Sequence, residues 1–191
     1  MAGFRARNPL NLLWIFMRTA LAALLLLAAT CPASASGIES AGTGVAIALP
    51  LMAGGISLYK DDRTGLAQLT VDTVATVGTA YALKQFVKEQ RPDKSDFRSF
   101  PSDTSALAFA PAQYLWDRYG WEYGLPAYAA ASFVGYSRID AKKHHWYDVA
   151  ASAGFAFTFS KIFTTRYRAP GLRYGAAISP DGGEFRLSYN F

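Results

Sequence analysis

Apolar residues recur at helical spacing through most of this chain, and only its last stretch alternates. The segment 41–59 is apolar and rich in Gly and Ala, which predicts a helix, and "KDDRTG" at 60–65 reads as a turn. Over Leu66–Lys88 the apolar positions Leu69, Val71, Val74, Val77, Tyr81, Leu83 and Phe86 predict a second helix. Arg91-Pro92 closes that segment, because a residue before proline is pushed out of helical geometry. "DKSDFRSFPS" reads as a loop, Thr104–Arg118 as a helix stopped by Tyr119-Gly120, and Trp121–Tyr136 as an alanine-rich helix. The polar stretch "SRIDAKKHH" separates it from a further apolar helix, Trp146–Phe163. Then the period changes. "LRYGAAIS" and "EFRLSYNF" alternate around "PDGG", a β-hairpin signal with Asp181-Gly182 or Gly182-Gly183 at the turn. One hairpin cannot close a barrel, so the expected fold is mainly α: a helical bundle with a C-terminal β-hairpin as an appendage.

The N-terminal region has a different pattern. Arg5, Arg7 and Arg18 precede or flank "ALAALLLLAA", and "ASAS" at 33–36 offers an A-x-A site with cleavage after Ala35. The division expected is a signal peptide over 1–35, a helical domain over 36–165 and a hairpin tail over 170–191. The apolar run Leu10–Ala29 is also long enough to remain as an uncleaved anchor. Cys31, the one cysteine, precedes the cleavage site, so the mature chain would hold no disulfide. Thr30 fits poorly before a lipidated cysteine. Helices carrying Gln68, Asp72, Lys84, Gln85, Gln113, Asp117 and Arg118 suit an exported, periplasmic or envelope-associated bundle better than an integral inner-membrane one, which stays the alternative. The formal charge of +5 includes the leader arginines, and no basic stripe interleaved with aromatics is present, which argues against a nucleic-acid partner.

Three polar clusters carry candidate chemistry. In "KQFVKEQRP", Lys84 and Arg91 are seven residues apart, which on a continuous helix puts both on one face, where an anion would relieve their repulsion. Alone, such a pair is more often a solvated helix end. In "SFPSDTS", helix-start amides and the Ser102 hydroxyl form an anion cradle, although an ordinary N-cap has the same composition. In "SRIDAKKHHWYD", Arg138 precedes His144 and Asp148 follows it by four, so a carboxylate can hold the imidazole in one tautomer; a surface pair would look the same. Together the clusters gather Lys84, Arg91, Arg138 and helix-start amides around a tetrahedral oxyanion, with His144 placed to attack it.

These residues resemble the type-2 phosphatidic acid phosphatases, a family related in fold to the vanadium-dependent haloperoxidases. Lys84…Arg91-Pro92 and Ser137-Arg138…His144…Asp148 match the family's first and third motifs without a gap, and the resemblance spans roughly residues 45–163. It implies a helical bundle with the site at one end, and hydrolysis of a phosphomonoester or pyrophosphate without a required cofactor, vanadate acting as a phosphate mimic. It implies that Lys84, Arg91, Ser102 and Arg138 bind phosphate, that His144 is the nucleophile forming a phosphohistidine, and that Asp148 orients it. The substrate expected is a lipid phosphate or another small phosphorylated molecule, met at a membrane surface.

The second motif departs from the family's P-S-G-H. Here it reads Pro101-Ser102-Asp103-Thr104, with threonine where the family places the histidine that protonates the leaving group. Loss of a general acid costs about 10²–10⁴-fold. Asp103 is the candidate replacement acid if burial raises its pKa; neighbouring cations act the other way. The alternatives are weakened activity on substrates with good leaving groups, or an inactive protein that binds phosphate or a lipid head group, or serves a structural role in the envelope. A haloperoxidase ranks last, since the chain is much smaller than those enzymes.

Overall fold

The computed structural model describes residues 35–168, 171–179 and 182–190; all of the expected signal sequence but Ala35, with Cys31 and the Leu10–Ala29 run, lies outside them. Five helices form the described bundle: α1 (Ala35–Tyr59), α2 (Arg63–Phe86), α3 (Asp103–Tyr119), α4 (Trp121–Asp140) and α5 (Trp146–Phe163). Beyond them the backbone of β1 (Gly171–Ser179) pairs antiparallel with β2 (Gly182–Asn190). Ser179 pairs with Gly182, so Gly182 sits in the ladder rather than in the turn assigned to it, and residues 180 and 181 lie outside the described ones.

The centre of the bundle is α3, which packs against all four other helices. Its sequence explains that position. Ala106, Ala108, Ala110 and Ala112 are fully buried and let neighbouring backbones come close, while Tyr114 and Leu115 fill the remaining volume with Leu49 of α1 and Val134 of α4. Two glycines set the closest approaches. A Cβ at Gly124 would lie 2.6 Å from Trp116 Cβ, and one at Gly42 would lie 1.9 Å from Ser137 Oγ, so the α4–α3 and α1–α4 contacts require their absence. The end of the bundle away from the cation clusters is tied by ions. Asp62, the N-cap of α2, accepts from Arg118 at 2.6 and 2.7 Å, and Arg118 also donates to the Thr165 carbonyl beyond α5 at 2.7 Å.

Two boundaries that bear on function differ from the expectation, at the ends of α2 and α4, and a third, the start of α5, matches it. α2 ends at Phe86 with Val87 already extended, so Arg91 is not two helical turns above Lys84 but reaches back from a loop. α4 continues through Asp140, which places Arg138 in its last turn. α5 begins at Trp146 with His145 as N-cap, so His144 stands just before the helix. The inward face of α2 also differs. Gly65, Leu69, Asp72, Thr76, Ala80 and Lys84 point in, whereas Val74 (65% exposed) and Phe86 (83%) point out. Helical periodicity located the helix but the apolar stripe faces away from the core, the pattern expected when the outside is itself apolar. Among the described residues one helix, over Gly37–Tyr59, is long and apolar enough to cross a membrane.

Candidate active site

The last turns of α2 and α4 and the first turns of α1, α3 and α5 share one end of the bundle, and there the three separated clusters meet. A cavity of about 380 Å³ opens at this end, lined among others by Glu39, Arg91, Asp103, Thr104, Arg138 and His144. The loop between α2 and α3 is held over it by backbone bonds: Ser99 N–H to the Glu89 carbonyl, Asp93 N–H to the Lys142 carbonyl and Ser102 N–H to the Asp148 carbonyl.

His144 is 3% exposed, and its geometry fixes its tautomer. Nδ1 lies 2.7 Å from the Ser99 carbonyl, which can only accept, so Nδ1 carries a proton and, in the neutral ring, the lone pair falls on Nε2. Nε2 faces Asp103, 4.0 Å from Oδ1. Asp148 is fully buried and stands 3.5 Å from His144 Nδ1, farther than the Ser99 carbonyl. Its Oδ2 accepts from Ser99 Oγ at 2.5 Å and from the His145 N–H at 2.8 Å. Burial acts to raise the Asp148 carboxyl, but hydrogen bonds from His144, Ser99 and the His145 amide outweigh it and hold it below its ordinary value. Ser99 thus touches both members of the pair, a role no sequence pattern announced.

Each cation has a carboxylate beside it. Lys84 Nζ is 3.3 Å from Asp103 Oδ1 and donates to the Arg98 carbonyl at 3.0 Å. Arg91 Nε lies 2.7 Å from Asp96 Oδ1. Arg138 donates to the Glu39 carbonyl at 2.6 Å and has Nη1 3.4 Å from Glu39 Oε1. Neither Glu39 nor Asp96 is singled out by the sequence; an isolated glutamate near the start of an apolar helix is the available signal for Glu39. The cavity is therefore close to neutral before any anion enters it.

The segment Pro101-Ser102-Asp103-Thr104 leads into the N-terminus of α3. Ser102 is its N-cap and is completely buried, its hydroxyl engaged with Ser105 N–H and Ser105 Oγ, so it shapes the helix start and does not line the cavity. Asp103 and Thr104 do line it. Burial works to raise the Asp103 carboxyl, yet the Lys84 charge and hydrogen bond, His144 and the Thr104 amide prevail, and the group lies below its ordinary value. Of the two opposing influences weighed for Asp103, burial and neighbouring cations, the Lys84 ammonium prevails. His145 points away from the cavity and stacks on Tyr147 at 4.9 Å and 7°.

Comparison with known proteins points to one family and fold. A family model described as the PAP2 superfamily matches residues 65–170. The lipid A 4'-phosphatase of Helicobacter pylori (strain J99 / ATCC 700824) is 33% identical over 144 residues, which cover 70% of this chain and 73% of that protein. The crystal structure of Aquifex aeolicus LpxE is similar in fold, with a TM-score of 0.57 at 22% identity over 74% of this chain and 92% of that one.

Proposed function

This chain belongs to the PAP2 superfamily, the superfamily of the type-2 phosphatidic acid phosphatases, and from that premise we propose that it hydrolyses a phosphate or pyrophosphate group of a lipid through a phosphohistidine on His144. The observation that carries the reading is the His144 tautomer: Nδ1–H is spent on Ser99, and the unprotonated Nε2 looks into a cavity lined by Arg91 and Arg138. The lipid A 4'-phosphatase relative favours a phosphorylated glycolipid as substrate.

In the proposed reaction the phosphoryl group is held by Arg91, Arg138 and the amides at the start of α3. Lys84 comes into reach as Asp103 gives way, and Ser102 contributes by capping the helix that presents those amides. Nε2 attacks phosphorus in line, the P–N bond forms and the bond to the leaving oxygen breaks. Asp103 supplies the proton to that oxygen. In the free protein it is ionised, but a phosphate brought beside it places two negative charges together, and like charges favour retention of one proton between them. The proton is then shared by Asp103 and the substrate and passes to the leaving group. Water cleaves the P–N bond in the second half, Asp103 taking its proton, and inorganic phosphate leaves. Asp148, through its charge and its bond with Ser99, orients His144 and stabilises the imidazolium that forms.

The outward-facing side chains of α1 and α2 support a domain seated against lipid, with the cavity at the bundle end meeting the head-group region. We further propose export by a leader over 1–35 to the cell envelope, a helical domain over 36–165, and a hairpin tail over 170–191 that is appended to it. The test is phosphate release from lipid A and from diacylglycerol pyrophosphate by the purified protein. Equal background rates from wild type and His144→Ala would end the enzyme reading and leave phosphate or head-group binding without turnover.

A further inference from the structure

We propose that Glu89, His145 and Asp148 form a site for one zinc-class divalent cation, set behind the nucleophile, where occupation inhibits the reaction. The inference about inhibition rests on His144 being the nucleophile; the inference about binding does not. One donor atom from each residue lies within 4.8 Å of the others. His145 Nδ1 is 3.5 Å from Asp148 Oδ2 and 3.9 Å from Glu89 Oε1. Ligand atoms around a tetrahedral ion with bonds of about 2.1 Å stand roughly 3.4 Å apart, so small side-chain movements close the cluster on an ion. One imidazole and two carboxylates suit zinc; calcium asks for six to eight oxygens.

A second observation points to a ligand. Asp148 is fully buried, and its Oδ1 has no hydrogen-bond partner among the described residues, although Oδ2 serves Ser99 and the His145 amide. A buried carboxylate oxygen without a partner is costly; the cluster distance is to Oδ2, so a cation held by both oxygens of Asp148 would satisfy Oδ1. The two remaining ligands are already held in place: Tyr147 stacks on the His145 ring and hydrogen-bonds Glu89. Both His145 and Glu89 are about 30% exposed at the side chain, which leaves an entry path. The same contacts cap α5, and capping accounts for the His145 amide but not for the carboxylate of Glu89 beside the ring. An ion here would pull the Asp148 charge from His144, 3.5 Å away, and so weaken the base that attacks phosphorus.

The experiment titrates Zn²⁺ into the purified, chelator-treated full chain by calorimetry, and measures phosphate release in parallel with and without Zn²⁺. One ion per chain is expected, with affinity reduced at least about 10-fold in both His145→Ala and Glu89→Gln, and with zinc inhibition of the wild type relieved in both. Circular dichroism confirms that each variant is folded, and Glu89→Gln serves if His145→Ala is not. Absence of saturable binding, or binding of equal strength in wild type and folded variants, overturns the site. Binding that behaves as expected in a protein without phosphatase activity keeps the site and rejects the hydrolysis reading instead.

Discussion

Asp103 Oδ1 lies 3.3 Å from Lys84 Nζ, so the carboxylate in the first turn of α3 forms an ion pair with the lysine in the last turn of α2. That carboxylate stands where an incoming phosphate oxygen would seek Lys84. Asp103→Asn should therefore have two opposite effects. Vanadate or phosphate should bind more tightly, by about 10-fold for the removal of one nearby like charge. Phosphate release should fall about 10²–10³-fold with the loss of the proton donor. Titration and steady-state kinetics on one preparation read both. A variant that binds more tightly and turns over as fast as wild type would remove Asp103 from the chemistry.

The pH profile follows from the same pair. The Asp103 carboxyl is held below its ordinary value, so in the free protein it is ionised from mildly acid pH upward. A phosphomonoester loses its second proton near pH 6. Above that pH the complex lacks the shared proton and brings a dianion against a carboxylate. The expected kcat/KM falls as pH rises through about 6 to 7, and that limb flattens in Asp103→Asn. A wild-type profile that climbs to pH 8 would contradict the proton-sharing step.

Restoring the family motif is the complementary test. In Asp103→Gly with Thr104→His, Lys84 loses its internal partner and a titratable imidazole takes the place from which the family's acid acts. Turnover should rise about 10-fold or more over wild type on a monoester, whose poor leaving group depends most on protonation. A fall in turnover would assign Asp103 a role that histidine cannot take over.

The two ungapped motifs were legible because fixed spacing survives without knowledge of the fold. Lys84, Arg91, Arg138 and His144 do gather at one end of the bundle. Spacing gave the wrong reason for Arg91, because α2 stops at Phe86 and the loop, not a helical face, returns the guanidinium. Ser102 carries two readings in the sequence, since a serine before a helix is both a cradle and a cap; in the structure it is buried and caps. Glu39 meets Arg138 through tertiary packing, Asp96 meets Arg91 through the fold of one loop, and the carbonyl of Ser99 has no sequence signature, so none of the three contacts follows from spacing.

Ser99 yields a prediction of its own. Its hydroxyl donates to Asp148 at 2.5 Å while its carbonyl accepts a hydrogen bond from His144 Nδ1–H. Ser99→Ala keeps the carbonyl and removes a hydrogen bond to a buried carboxylate, a loss of about 1–3 kcal/mol in the stability of that arrangement. The expected result is a kcat lowered about 10-fold with KM little changed, because the anion-binding groups are untouched. Ser99→Thr keeps a hydroxyl and should recover most of the rate. A change confined to KM would mean that the loop, rather than the His144–Asp148 pair, had moved.

Asp72 lies far from this chemistry and governs stability instead. It is fully buried on α2, and both carboxylate oxygens lack a hydrogen-bond partner among the described residues. Burial, with the charge of Asp117 beyond it, pushes its pKa from the ordinary 3.8 up to about 7, against the lowering influence of Ser160 and Thr76. Asp117 itself faces Lys161 and Gln113, so that lysine is already committed. A folded-state pKa above the unfolded one means that the native state binds the extra proton. Its stability is therefore fully present below about pH 4 and is lost as pH rises toward 7. At roughly 1.4 kcal/mol per unit, the loss from this group is on the order of 4 kcal/mol above pH 7. Asp72→Asn keeps the shape and removes the ionisation. Its melting temperature in detergent should match wild type near pH 5 within a few degrees and exceed it by several degrees at pH 8. Parallel melting curves for the two proteins across that range would show that Asp72 has an ionised partner after all.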